Sequence, residues 1–417
     1  MILKMGHFFV KDVIFGKKTR IYNGRLSVNG RMLRELILSS DERIKEVKIE
    51  AAKPGESTRI VCIKDVIPVR KKIHGAIGEG RTDNLSNVVV TTLGQIISAQ
   101  EGILDMSGPG ADYSPFSEMI NICLNITVKG GITKHEHEKI LRRAGLRVAD
   151  YFGEVLTDIE PDKIEVFDSN DFNFKTIDPK LPRVVYMYTL LAQGLLHHNY
   201  VDGHDVKKDG LLPCYVSPTQ LLDGLIVSGN CVSACDKTTT WHHWNNIVIR
   251  ELFKRHGTEL NFVGVVLSSL LTNMNEKEEM AKKAVELVKE LNPTAVIITK
   301  EGFGNPDADI MLTIELLEKA GIKTVSIHNE YSGEQGVSQP LADITTHANA
   351  IVSAGNSNEP ITLPPMKKII GPYENLTILA GAHKDSVHGD GSITVQMQTI
   401  YGATHQFGDL CLTCEEV

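Results

Sequence analysis

The second half of this 417-residue chain alternates short apolar runs with amphipathic ones, at a spacing few folds accommodate. Phe262 to Leu267 reads as a strand. Asn275 then caps a helix, with Glu278 three residues on in the capping-box position. Met280, Ala284, Val288 and Leu291 recur along it at the 3.6-residue period of a stripe packed on a sheet. Ala295 to Thr299 reads as the next strand. Asp307 caps a second helix that turns Ile310, Ile314 and Leu317 inward, and Gly321 ends it. Lys323 to His328, Ala350 to Ser353 and Leu376 to Leu379 follow as strands. This order predicts a doubly wound parallel sheet.

Ligands of open α/β sheets bind outside the carboxyl ends of the strands. Three Gly-bearing polar segments fall there: Glu301 to Asp307, His328 to Gly333 and Ala354 to Glu359. They make Glu301, Asn305, Asp307, Glu330 and Asn356 substrate-pocket candidates. Loops of this composition also follow strands that bind nothing, so position alone does not decide between the two.

The first half is less regular. Residues 1 to 75 form a β-rich region, with strands at Ile21 to Val28, Val47 to Ala51 and Arg59 to Ile63, and hairpin marks at Asn23-Gly24 and Asn29-Gly30. Residues 76 to 230 form an α/β region. There Val88 to Val90 is a buried strand, Pro115 to Ile126 and Lys134 to Leu146 are helices, and 160 to 182 is a linker. Val184 to Leu191 and Asp223 to Val227 are strands, the latter running into Gly229-Asn230-Cys231. Residues 231 to 417 hold the doubly wound domain. The expected class is therefore α/β, a β-rich N-terminal region followed by α/β segments and a C-terminal doubly wound parallel sheet.

With 52 acidic and 44 basic residues the net charge is −8, which gives no global reason to expect a nucleic-acid partner. Arg70-Lys71-Lys72 and Arg142-Arg143 are short and read as solvated surface. No apolar stretch approaches the ~18 residues of a membrane helix. Lys11, Asp12, Lys17 and Lys18 break the N-terminal apolar residues, so no secretory signal is expected and the protein is expected in the cytoplasm. Seven cysteines in such a chain point to free thiols. Cys62 and Cys123, beside apolar residues, read as inert core.

Cys231 and Cys235 are different, because Gly229-Asn230 precedes the first and the second lies four positions on. If the segment were helical, both thiols would share a face. Four readings fit the spacing: inert buried cysteines, a metal site completed by His242 and His243, a dithiol couple, or attack by Cys231 on its own preceding carbonyl. The last needs a flexible, uncrowded peptide bond, which Gly229 favours, and a means of raising thiolate character. Asp236, His242 and His243 are the nearest candidates for that task.

The run Ser228-Gly229-Asn230-Cys231-Val232-Ser233-Ala234-Cys235-Asp236-Lys237 resembles the processing site of the pyruvoyl-bearing component B proproteins of glycine, sarcosine and betaine reductases. Asp65-Val66-Ile67-Pro68-Val69, Gly78 to Thr82, Leu260 to Leu267, Glu301 to Asp307 and Leu363 to Met366 are similar to the same family, so the likeness runs from residue 1 to about 371. It implies a chain cut between Asn230 and Cys231, with Cys231 converted to a pyruvoyl group whose carbonyl can form a Schiff base with a substrate amine. It also implies reductive deamination toward acetyl phosphate, shared with a selenoprotein subunit of component B, the small selenoprotein A and the thioredoxin system. The chain contains no selenocysteine, so that nucleophile comes from a partner. A D-proline reductase-like proprotein is the neighbouring reading, and an uncleaved thiol- or metal-binding interaction protein is the competing one.

Two stretches depart from the expected pattern. Trp241 and Trp244, the only tryptophans, can form an aromatic pocket for a methylated ammonium or simply the core face of a helix. Near the C-terminus, His383, Asp385 and His388 have ligand chemistry without a trusted metal spacing, so no metal is expected. Cys411 and Cys414 form a C-x-x-C that is either a thiol relay or a frayed tail pair.

Overall fold

A computed structural model describes residues 1–95, 101–169, 178–193, 199–229, 234–348, 350–372, 379–382 and 385–407. Two mixed α/β layers make up most of it. The first sheet contains β1 (Ile2–Phe8), β2 (Ile44–Ala52), β3 (Ile63–His74), β4 (Gly80–Gly94), β5 (Ile120–Val128) and β6 (Lys163–Asp168). Its order is β6-β1-β4-β5-β2, with β3 antiparallel to β4. Helix α1 (Gly30–Leu38) and helix α2 (Lys134–Gly153) cover one face. Thr133 and Glu136 close a capping box on α2. Ile140, Leu141, Ala144, Val148 and Phe152 then pack on Ile67, Val90 and Ile122, the helical stripe meeting the β-branched face of the sheet.

The second sheet contains β7 (Arg183–Leu191), β8 (Cys214–Val216), β9 (Asn261–Leu270), β10 (Ala295–Thr299), β11 (Lys323–Glu330) and β12 (Ile351–Asn356). Its order is β8-β9-β7-β10-β11-β12, parallel except for β8 at the edge. Successive side chains of β7 alternate between faces, as the two-residue period requires. Val185 and Met187 meet α6 (Met274–Glu290) and α7 (Asn305–Lys319). Tyr186 and Tyr188 meet α3 (Pro218–Leu222) and α5 (Ile247–Arg255). Helices on both faces are the doubly wound arrangement expected. No helix among the described residues is long and apolar enough to cross a membrane.

Several local expectations are corrected. Asn29-Gly30 is a helix start, not a hairpin: the Asn29 side chain accepts from Met32 N and caps α1. Pro115 to Ile126 is a short 3-10 turn followed by β5, because Ile120–Val128 is β-branched and buried between two strands. The supposed linker contains β6, paired with β1. Asn273, not Asn275, caps α6. Gly304 caps α7, and Asp307 sits inside its first turn. Asp223 caps the end of α3, leaving only Ile226–Val227 as a strand. Leu376 falls outside the described residues, and Leu379 makes only an isolated bridge to Glu101.

The basic run is solvated only in part. Arg70 is buried, bonds Leu222 O, Trp244 O and Asn245 Oδ1, and is lowered by burial to about 9. Lys71 pairs with Glu154, Lys72 with Asp223, and Arg142 with Glu138. The expected boundary at 75 falls in the turn between the paired strands β3 and β4. Near the C-terminus, Lys368–Ile370 runs parallel to Thr58–Ile60, and Arg59 ties the region together through Asp105 (2.6 Å) and Pro364 O (3.1 Å).

Candidate functional site

Asn230 and Cys231 lie outside the described residues, but the chain on either side is placed. Both flanks are buried: Ser228 before the segment, and every residue from Ala234 to Thr240 after it. Residues 234–236 form a turn, so the helix that would align the two thiols is absent from the described part. Asp65 on β3 joins the flanks. Its carboxylate accepts from Thr240 N (2.9 Å) and Thr240 Oγ1 (2.6 Å), and Thr240 Oγ1 in turn accepts from Ser228 N (3.1 Å). Burial pushes the Asp65 carboxyl up, and Lys237 opposes the rise.

Ala234 is held from two sides. Its carbonyl accepts from Gly402 N at 3.0 Å. A Cβ on Gly102 would lie 2.1 Å from Ala234 Cβ and 2.8 Å from the Tyr401 ring. Only glycine fits there. Gly102→Ala is therefore expected to destabilise the protein by about 1–3 kcal/mol, the usual cost of overpacking, and to displace Ala234. Urea unfolding of the variant against the unaltered chain checks this.

Cys235 and Asp236 face a polar layer at the carboxyl ends of β11 and β12. The Cys235 thiol is 3.4 Å from Ser357 Oγ, and burial pushes it up to about 12. Asp236 Oδ2 accepts from Asn329 Nδ2 and Tyr331 OH, both at 3.4 Å. Burial raises this carboxyl to about 6, with Lys300 opposing, and Asp236 Oδ1 has no partner among the described residues. Phe303 stacks on Tyr331 with ring centroids 4.0 Å apart.

The two histidines of α4 (Thr240–Trp244) part company. His243 Nδ1 meets Tyr188 OH at 2.6 Å, while its Nε2 meets Asn199 Oδ1 at 3.3 Å and lies 3.8 Å from Glu301 Oε1. His242 stacks face to face on His405 at 3.8 Å. Desolvation lowers His242 to about 3 and holds His243 and His405 well below the ordinary imidazole range. His242 Nε2 is buried without a partner among the described residues and lies beside Gly402, whose N–H holds Ala234.

Glu301 is fully buried and accepts from Leu191 N (2.6 Å) and Asn199 Nδ2 (2.5 Å). Burial raises it to about 7 from 4.5. The unfolded chain therefore loses this proton first, and the folded state loses stability as pH rises from about 4.5 to 7. Glu301→Gln removes that slope. Its stability relative to the unaltered protein is expected to improve by roughly 2–3 kcal/mol between pH 4.5 and pH 8, read from urea midpoints across that range.

The remaining candidates are dispersed. Asp307 forms a buried ion pair with Lys300 at 2.9 Å and accepts from Ala342 N. Asn305 is exposed and bonds Gln193. Glu330 accepts from Ser332 Oγ, and Asn356 braces the same turn through Ser332 N and Gly333 O. Trp241 packs edge-on against Phe116, and the Trp244 ring already carries the Arg70 guanidinium 5.3 Å away. His383, Cys411 and Cys414 fall outside the described residues, and His388 bonds Thr394. Lys300 and His405 were not singled out from sequence, while Asp65, Asn329 and Tyr331 lie in segments noted there without a site role of their own. Lys300 had a visible signal, a charge closing the apolar strand Ala295–Thr299.

A doubly wound sheet, with a buried polar layer at its carboxyl ends and buried chain on both sides of the glycine-asparagine-cysteine segment, defines a protein of the α/β class. Residues 1–415 match the family model described as glycine/sarcosine/betaine reductase component B subunits, and the chain belongs to that family. It is 43% identical to the glycine reductase complex component B subunits alpha and beta of Acetoanaerobium sticklandii, over 98% of each chain. It is 41% identical to the sarcosine reductase complex component B subunit alpha of Peptoclostridium acidaminophilum, over 97% of each. A D-proline reductase proprotein of Acetoanaerobium sticklandii is more distant, at 26% identity over 78% of this chain and 54% of its own. No solved structure matches.

Proposed function

We propose that this chain is the proprotein of the substrate-binding, pyruvoyl-bearing subunits of a glycine-, sarcosine- or betaine-type reductase, cut between Asn230 and Cys231. The observation that carries the reading is membership of the family over residues 1–415 together with the intact decapeptide Ser228 to Lys237. The relatives' names, with subunits alpha and beta in one chain and the word proprotein, suit a chain that becomes two pieces.

In the cut, the Cys231 thiolate attacks the Asn230 carbonyl carbon. The C–N bond breaks as a C–S bond forms, and the freed amine takes a proton. β-Elimination then breaks the Cys231 Cβ–S bond, and the sulfur leaves on Asn230 as a thiocarboxylate. Water converts the remaining dehydroalanine to the pyruvoyl group and ammonia. Two neighbours are suited to the proton transfers. Asp236, raised to about 6, keeps one oxygen without a partner among the described residues, and neutral His242 likewise keeps one ring nitrogen. His243 has both nitrogens engaged and is assigned a positioning role.

Ser228 Oγ and Asp236 Oδ1, buried without partners among the described residues on either side of the segment, fit a polar carbonyl group there. When present, that group supplies an electrophilic carbonyl that condenses with a substrate amine and draws electrons from its Cα–N bond. The chain's own residues hold the site dry and fixed, through the Asp65–Thr240–Ser228 chain and the Gly102–Ala234–Gly402 clamp. The nucleophile for the amine-bearing carbon comes from a selenoprotein partner, with selenoprotein A, the thioredoxin system and a cytoplasmic setting completing the reading. Incubating the purified protein with a hydrazine tests it: the C-terminal piece is expected to take up one hydrazine at its first residue. Absence of any hydrazine adduct counts against the pyruvoyl assignment.

A further inference from the structure

On the helix-α7 side of the second sheet, a cavity of about 260 Å³ opens over the paired strands β11 and β12. His328 lies in its floor, Glu330 at its side, and Pro340, Leu341, Ile344 and Ile351 make its apolar walls. His328 is 1% exposed, and neither ring nitrogen has a hydrogen-bond partner among the described residues. Buried imidazoles rarely go unpaired, so this one asks for a ligand atom. Asn329, the next residue, bonds Ser357 and Asp236 instead, so the cavity and the layer around Cys235 lie on opposite faces of one strand.

Charge decides what fits. Lys300 lies close enough to act on His328 but is already paired with Asp307 at 2.9 Å. Gln339 spends its amide on Leu341 O. Glu330 is then the one formal charge among the lining residues, and among the described residues its carboxylate accepts from a neutral hydroxyl, that of Ser332, at 2.7 Å.

We propose that this cavity is a binding site for a small aliphatic ammonium ion, its nitrogen donating to the Glu330 carboxylate and to the lone-pair nitrogen of His328, its alkyl body lying against Leu341, Ile344 and Ile351. An ammonium supplies both the charge that Glu330 needs and the donor that a neutral imidazole accepts. The volume is below the ~300–1,000 Å³ of drug-sized sites, which limits the body to a few carbons. A carboxylate is repelled by Glu330, so the site selects amines over acids and over zwitterions. This inference does not rest on the reductase reading.

The test uses the full chain carrying Cys231→Ala, which cannot acquire a pyruvoyl group, so that no amine can be held covalently. Calorimetric titration with isobutylammonium is expected to show one saturable site, and isobutyrate none. Glu330→Gln, at the cavity's side, is expected to weaken binding roughly tenfold or more. His328→Phe, which fills the floor, is expected to abolish it. Circular dichroism melting of each variant checks that it is folded, and Glu330→Gln carries the test if His328→Phe is not. Absence of saturable binding to the Cys231→Ala chain overturns the proposal, as does binding that Glu330→Gln leaves unchanged. Equal binding of isobutyrate overturns it too.

Discussion

Replacing Cys231 with alanine is expected to leave one chain of 46.0 kDa, where the unaltered protein is expected, on the proposed reading, to give two pieces. Scaled from residue counts, those pieces are roughly 25 and 21 kDa. Alanine has no sulfur to accept the Asn230 acyl group and no Cβ–S bond to eliminate, so both steps stop at once. Cys235→Ala is expected to be cut normally. That thiol is fully buried, bonded to Ser357 and pushed up to about 12, so almost none of it is thiolate at neutral pH. Denaturing mass spectrometry separates the outcomes. An unaltered protein that stays intact, with a free thiol at Cys231, removes the processing reading.

Lys300→Met is expected to cost about 3–5 kcal/mol of folding stability. Lys300 Nζ sits 2.9 Å from Asp307 Oδ1 and donates to Gly302 O at 2.6 Å, with both side chains fully buried. The substitution strands a carboxylate in the interior, and the same positive charge also opposes the rise of the Asp236 carboxyl. Removing both partners, in Lys300→Met with Asp307→Leu, is expected to return part of the loss. The return is incomplete because Ala342 N then lacks its acceptor. A double-mutant cycle by urea unfolding measures the coupling. A single-variant cost under about 1 kcal/mol would show that the pair is not the buried linchpin its geometry describes.

The sheet was legible where periodicity and length agreed. Ala295–Thr299 and the inward residues Ile310, Ile314 and Leu317 are placed as expected, because strand and helix periods there are long enough to separate. Ile120–Val128 was misread because a short apolar run carries no period that distinguishes a buried strand from a helix. Asn29-Gly30 was misread because the same pair begins a hairpin turn or caps a helix, and the following residues decide which. The site was legible only as a segment. Asp65 meets Thr240 across 175 residues of chain, and His405 reaches His242 from the far end, contacts that only tertiary packing creates.

The second sheet draws β7 and β8 from residues before the segment at 230 and β9, β10, β11 and β12 from residues after it. β7 lies in the middle, hydrogen-bonded to β9 on one side and β10 on the other. A cut at Asn230 would therefore nick the molecule without releasing anything, since each piece is laced through the other. Under that proposal the sheet is expected to assemble while the chain is whole, with the cut following. Two halves synthesised separately would each present raw strand edges to solvent: the C-terminal one would lack the strand between β9 and β10, and the N-terminal one would carry β7 and β8 without the β9 that lies between them. Such halves are expected to aggregate rather than find each other, so translation as one polypeptide becomes a requirement of assembly.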